Sequence, residues 1–315
     1  MNSQPRVVIL LSTYNGEAFV GEQLDSLFGQ SYPDFTILVR DDGSTDSTAK
    51  VLADYSIRYP EKFQVIKDEA ANLGAAGSFA SLIAYALDHK AELGVDRLYL
   101  MLCDQDDFWH ADKVTKQMNV MLASEAELQN AGTQSPAVLV HSDLQVVDEE
   151  LNPIADSLAR YQGLETHRNS FANLVISNLV TGCTALFNED LARKAMPMSS
   201  QAIMHDWWLA LVASAFGRIV YVDSALISYR QHGANTIGAK EKPAYRMGTL
   251  TYWQKVFGLS ANPHLEAVAR QASAFRDQYH KELSGKQRRL LRLCAALKTR
   301  VGILQRVLFR VVRRF

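Results

Sequence analysis

Arg97-Leu98-Tyr99-Leu100-Met101-Leu102-Cys103 runs straight into Asp104-Gln105-Asp106-Asp107-Phe108-Trp109. The first seven residues hold almost no polar side chain, which predicts a strand buried on both faces, as in the interior of a parallel sheet. In open α/β sheets the ligand crevice lies beyond the carboxyl ends of the strands, so the polar exit of this strand falls where a ligand would bind. Two acids one residue apart can offer carboxylate oxygens to a hard divalent cation that shares its shell with water and substrate phosphates. An Asp-x-Asp alone is usually a solvated turn. Its weight here comes from the buried strand before it and from Asp107 and Trp109 after it.

The pattern on either side repeats the strand-then-helix alternation of βαβ units. Upstream, residues 7–12 read as a strand and 17–30 as a helix with Phe19, Val20, Leu24, Leu27 and Phe28 at helical spacing, ended by Tyr32-Pro33. Residues 35–39 form a second strand that stops at Arg40-Asp41-Asp42-Gly43-Ser44-Thr45-Asp46, before a helix over 47–59. A strand at 63–66 leads to Asn72-Leu73-Gly74 and a helix over 77–88. Downstream, a helix over 113–128, a strand at 137–141, helices near 170–176 and at 206–215, and strands at 218–221 and 226–232 follow. From about residue 240 the chain reads as helical to its end. The expected fold class is α/β, a Rossmann-like, mostly parallel central sheet flanked by helices, with a C-terminal helical extension. Three polar clusters, at 12–15, 41–46 and 104–107, should meet at one sheet edge.

Composition narrows the possibilities. With 315 residues, 48% hydrophobic and 21% charged, the chain can build a sizeable core without disulfides. Cys103, Cys183 and Cys294 are odd in number and form no C-x-x-C, which predicts a reducing, cytoplasmic setting and argues against a zinc site. The apolar run at 7–11 is too brief for a signal-peptide core, and no stretch approaches the roughly 20 apolar residues of a membrane span. Neither a Gly-x-x-x-x-Gly-Lys loop nor a Gly-x-Gly-x-x-Gly fingerprint is present, so ATPases and nicotinamide enzymes lose support.

Net charge is −1, yet residues 286–315 hold ten Lys or Arg and no acid. In that tail Leu290, Cys294, Leu297, Val301, Leu304, Leu308, Val311 and Phe315 recur at steps of four and three, which predicts one basic amphipathic helix. Three partners fit it: an anionic membrane surface, the body of the protein itself, or a second copy in a short coiled coil. The excess of cations favours the membrane, at the inner face of the cytoplasmic membrane. The cluster at 41–46 also has two readings. A tight turn with an N-cap explains one of its acids, whereas two adjacent carboxylates facing a crevice suit ribose hydroxyls or a pyrimidine N–H.

Together these residues carry a family resemblance. Ser12-Thr13-Tyr14-Asn15, the cluster at 41–46, Asn72-Leu73-Gly74, the cluster at 104–107 with Trp109, Thr181-Gly182-Cys183, His205-Asp206-Trp207-Trp208 and Tyr229-Arg230-Gln231-His232-Gly233 stand in the order seen in glycosyltransferase family 2. They resemble most its bacterial rhamnosyltransferase branch. The resemblance covers roughly residues 5–240 and implies a glycosyltransferase A-type fold, with a nucleotide-sugar catalytic domain over 1–240 and a helical extension over 241–315. It implies that Ser12, Tyr14, Asp42 and Asn72 bind the donor nucleotide, that Asp104 lies at the ribose, and that Asp106 and His232 hold Mg²⁺ or Mn²⁺. Asp206 would be the general base on the acceptor hydroxyl. Its place at a helix start lowers its pKa through the macrodipole, so the role needs burial, or its tryptophan neighbours, to offset that field. Trp207 and Trp208 would stack on acceptor sugar rings or pack in the core, one of each.

The implied reaction is inverting transfer of a sugar, L-rhamnose from dTDP-rhamnose, onto a bacterial surface glycan such as lipopolysaccharide core or O-antigen, free or lipid-linked. The Gln-x-x-Arg-Trp signature of processive members is absent, which implies a single addition. A nucleotidyltransferase is the alternative enzyme, but it needs several cations at its phosphates and the early loops offer only Arg40 and Lys67. Nucleic-acid binding through the tail is a third reading, weakened by the lack of interleaved aromatics before Phe309. The expected partners are therefore donor, glycan and membrane rather than nucleic acid, with a homo-oligomer left open.

Overall fold

In the computed structural model, residues 4–66, 68, 72–233, 262–299 and 302–312 are described. The N-terminal half delivers the predicted alternation: β1 (Val7–Thr13), α1 (Val20–Phe28), β2 (Phe35–Asp41), α2 (Thr48–Arg58), β3 (Phe63–Val65), α3 (Gly74–Asp88) and β4 (Tyr99–Cys103). Strands β1, β2, β3 and β4 are mutually parallel. Every residue of β4 is buried, as its apolar run requires. After β5 (Phe108–Trp109) and α4 (Lys113–Asn130) come β6 (Ala137–Val147), β7 (Pro153–Ala155), α5 (Leu158–Gln162), α6 (Phe171–Leu174), β8 (Leu186–Asn188), α7 (Glu189–Ala195), α8 (His205–Phe216) and β9 (Gly217–Arg230). The sheet order is β3-β2-β1-β4-β8-β6-β9-β5, with β7 beside β6. β8 is antiparallel to both neighbours, while β6 and β9 are parallel.

Two strands exceed their sequence signal. β6 continues past residue 141 through Ser142 and Asp143 because the Asp143 carboxylate, though buried, is satisfied: it accepts from the amides of Leu144 at 2.9 Å and Ala159 at 3.1 Å and from the Ser157 hydroxyl. The two strands expected at 218–221 and 226–232 are one strand, β9, whose register against β6 shifts beside Asp143. The polar Asp223-Ser224 break in the pattern marks a bulge, not a turn.

The C-terminal part contains α9 (Pro263–Gln278), α10 (Gly285–Ala295) and α11 (Gly302–Val312). The expected boundary at residue 240 lies outside the described residues. The single basic helix over 286–315 is corrected: a 3-10 turn at Ala296–Lys298 splits it into α10 and α11. Nor does its stripe face outward as a whole. Leu290, Leu291, Cys294 and Leu297 are buried in one cluster with Phe275, Trp208 and Phe187, so α9 and α10 complete the same core that backs the sheet. No helix among the described residues is long and apolar enough to cross a membrane.

Candidate active site

A cleft of about 420 Å³ opens at the carboxyl ends of β1, β2 and β4, and Ser12, Tyr14, Asp42, Asn72, Asp104, Asp106 and Asp206 all line it. The three clusters predicted from the sequence do meet. Gln105, overlooked in the sequence, ties two of them: it accepts from the Tyr14 amide at 2.8 Å and donates to the Tyr14 carbonyl at 3.0 Å.

The acids differ in their commitments. Asp41 receives the Thr13 hydroxyl at 2.9 Å and the Ser44 amide at 3.1 Å, and Asp46 receives the Thr48 amide at 3.0 Å, so both organise the turn. Asp42 is buried, pairs with Arg40 and accepts from the amides of Leu73 and Gly74, both at 2.8 Å. Its carboxylate thus fixes the Asn72-Leu73-Gly74 bend, where Gly74 has φ +67°, a left-handed conformation that favours glycine. Asn72 itself closes that bend by accepting from Gly74 N at 3.0 Å. Ser12 shares a hydroxyl hydrogen bond of 2.6 Å with Ser78 of α3, and Tyr14 is exposed at the cleft mouth.

Past β4 the carboxylates crowd. Burial, and then the charges of Asp106 and Asp206, push Asp104 up to about 7. Asp106 meets His232 at the end of the Tyr-Arg-Gln-His segment, Oδ2 to Nε2 2.9 Å. Arg230 fixes this contact: its Nε donates to the Asp106 carbonyl at 2.9 Å, its guanidinium pairs with Glu22, and it lies over the Phe19 ring on which His232 also packs, centroids 4.7 Å apart. Asp107 faces the other way, fully buried, and accepts from the Arg230 amide at 3.3 Å. Beneath it Lys113 is also fully buried, with its ammonium 3.7 Å from the Trp109 ring centre and 2.8 Å from Gln117 Oε1. Burial lowers Lys113 to about 7 against the opposing pull of Cys183, Cys103 and Asp107. Asp104, Asp107 and Cys183 bring donor atoms within 4.8 Å of one another.

Asp206 starts α8 across the cleft. Burial pushes its carboxyl up to about 7, and hydrogen bonds from the amides of Trp207 and Gly182 and from the Asn178 side chain oppose a further rise. Desolvation thereby outweighs the hydrogen bonds that favour the charged form. A Cβ at Gly182 would sit 2.9 Å from His205 Nε2, so any larger residue there would have to displace this buried ring. His205 packs on Phe79, ring centres 4.2 Å apart, and burial holds its imidazole down at about 3.

The expectation that Trp207 or Trp208 offers a face to an acceptor is corrected. They are 4% and 0% exposed, and their indole N–H groups donate to the carbonyls of Leu174 and Ala195. Trp208 packs on Phe275 and Tyr279, and Trp207 on His264. An apolar face shared with α9 is a better partner for these rings than a wet cleft.

Fold and cleft together define the class: a glycosyltransferase A-type fold with a nucleotide-sized, acid-lined crevice at its strand ends. Staphylococcus aureus TarS 1–349 in complex with UDP-GlcNAc superposes with a TM-score of 0.53 at 14% identity, over 98% of this chain and 90% of that one. The mannosyltransferase PcManGT from Pyrobaculum calidifontis, in complex with GDP-Man and Mn²⁺, gives 0.53 at 14% identity, over 99% and 74%. More particularly, residues 8–130 match the model of Glycosyl transferase family 2, the family that the ordered motifs resemble. A dTDP-rhamnosyl transferase of Shigella flexneri, RfbG, is 25% identical over 236 residues, 73% of this chain and 74% of that protein. Mycobacterial relatives at the same identity are longer, and this chain spans 58% of their length.

Proposed function

We propose that the protein is an inverting, metal-dependent glycosyltransferase that adds one sugar, L-rhamnose from dTDP-rhamnose, to a bacterial cell-surface glycan such as lipopolysaccharide core or O-antigen. The observation that carries this reading is the placement of Asp206 opposite the Asp104–Asp106 pair in one cleft, with His232 on Asp106. The Asp106 carboxylate suits Mg²⁺ or Mn²⁺, and His232, 2.9 Å from it, would share the same cation, leaving the rest of the shell to diphosphate and water. Such a cation, when bound, supplies positive charge to the departing diphosphate. Ser12, Tyr14, Asp42, Asn72 and Asp104 line the donor side, and Asp42 also shapes the bend that holds Asn72. Asp206, poised near neutrality, takes the acceptor proton as the hydroxyl attacks the anomeric carbon, and configuration inverts.

The rhamnose reading rests on the motif resemblance and on RfbG. A nucleotidyltransferase would need cations at a triphosphate, and none of the described residues lining the cleft is Lys or Arg. We place the enzyme in the cytoplasm. A panel of nucleotide sugars tested for protection against thermal unfolding, with and without Mn²⁺, checks the reading, since a bound donor stabilises the fold. dTDP-rhamnose should give the largest metal-dependent shift. A larger shift from UDP- or GDP-sugars would replace the donor, and none from any nucleotide sugar would overturn the function.

A further inference from the structure

α11 is apolar on two sides. Gln305 and Val312 are buried against the body of the protein, while Leu304, Val307 and Val311, spaced three and four apart and so on one face, are 47%, 52% and 43% exposed. The described residues contain eight exposed large hydrophobic side chains, and three of them fall on this one eleven-residue helix. Such clustering departs from the scattered exposure of an ordinary surface. Its setting is cationic. Exposed Arg310 flanks the face, and on the neighbouring α9 and α10 a hollow of about 690 Å³ is lined by Arg276, His280, Arg288, Arg289 and Arg292, of which Arg276 pairs with exposed Asp277 at 2.8 Å.

We propose that the outward face of α11 docks on an anionic phospholipid bilayer, inserting Leu304, Val307 and Val311 at the headgroup level while Arg310 and the arginines of α10 meet lipid phosphates. Apolar side chains alone would serve equally for a protein partner. Ten cations with no acid across residues 286–315 select a surface of uniform negative charge. The docked helix also adjoins the chemistry. Arg306 and Phe309 form one wall of a groove of about 530 Å³ whose other wall includes Ser177 and Leu179, either side of the Asn178 that bonds Asp206. This groove lies on the side of α11 away from Leu304, Val307 and Val311, so the docking proposal does not rest on the glycosyltransferase reading.

The test is co-sedimentation of the full chain, without donor or acceptor, with vesicles of pure phosphatidylcholine and of equimolar phosphatidylcholine and phosphatidylglycerol. Binding should appear only with the anionic vesicles and fall as salt rises. The combined Leu304→Ser, Val307→Ser, Val311→Ser variant should bind about tenfold more weakly or worse, with an unchanged melting temperature because the three side chains lie outside the core. Arg310→Glu tests the charge separately and should weaken binding while leaving the apolar face intact. No binding by the wild type, equal binding by the triple variant, or a wild-type dimer that the triple variant turns into a monomer would each overturn the proposal. Donor-dependent thermal protection, measured on the same samples without vesicles, reports on the enzymatic reading independently.

Discussion

The Nε2 of His232 lies 2.9 Å from the Oδ2 of Asp106, although 126 positions separate them in the chain. The contact follows from three restraints: Asp106 leaves a fully buried strand, His232 leaves β9, and buried Arg230 clamps the Asp106 carbonyl to the segment that carries His232. Asp106→Asn keeps the shape but removes the charge that a hard cation requires. We expect it to abolish the Mn²⁺-dependent part of donor protection while the melting temperature of the unliganded protein stays put. Near-normal turnover by this variant would remove Asp106 from the metal site.

Asp206→Asn should act differently. Donor protection should survive while transfer falls by about 10²-fold or more, the contribution of a positioned general base. Because burial raises this carboxyl to about 7, and the base must be deprotonated, transfer by the wild type should rise with pH through about 7 and then level. Asn178→Ala removes a hydrogen bond that favours the charged form, so the same limb should move to higher pH. A flat profile across this range in both proteins would deny Asp206 the role.

The parts of this site that were legible in the sequence are those with a local signature. Apolar runs of β1 and β4 gave the buried strands, and polar exits gave the cleft edge. Long-range pairing left no such mark. Gln105 looks like the spacer of an Asp-x-Asp until its side chain is seen bracketing Tyr14, and nothing local tells that Asp107 turns inward over Lys113 while Asp106 turns out to His232. The same limit misplaced Trp207 and Trp208, since a large aromatic beside a cleft carboxylate has the same sequence whether it meets a sugar or α9. In the tail the four-and-three spacing was visible, but the turn at Ala296–Lys298 and the covering of its first half by the core were not.

His205 gives a stability prediction with a definite sign. Its ring nitrogens are buried with no hydrogen-bond partner among the described residues, and burial lowers its pKa to about 3. The unfolded chain, with an imidazole near 6.5, therefore binds more protons between these values. The stability this neutral ring contributes is full above about 6.5 and declines as pH falls toward 3. At pH 5 the loss from His205 alone should be about 2 kcal/mol, at 1.36 kcal/mol per pKa unit. Urea titrations at pH 5 and pH 8 on wild type and His205→Phe check it, with the variant losing less on acidification. His141, lowered to about 4 by burial, adds a shift of the same sign in both proteins.

The packing of α10 selects, for the first half of the tail, the body of the protein among the three partners its stripe admitted. If residues 286–315 were only a surface helix, their removal would leave the enzyme body intact. Instead Leu290, Leu291, Cys294 and Leu297 share a core with Phe275, Tyr279 and Trp208, and Trp208 lies two residues from Asp206. Truncation after residue 285 would expose this apolar face and loosen the helix that carries Asp206, so the shortened chain should aggregate or unfold at a much lower temperature. A milder probe avoids ambiguity: Leu291→Ala, at a fully buried position, should cost about 2–5 kcal/mol by leaving a cavity. Chemical denaturation measures this directly, and transfer per folded molecule should fall less than stability does, because no catalytic group is touched. A truncated chain with an unchanged denaturation midpoint, or a Leu291→Ala protein as stable as wild type, would show that α10 is not part of the core.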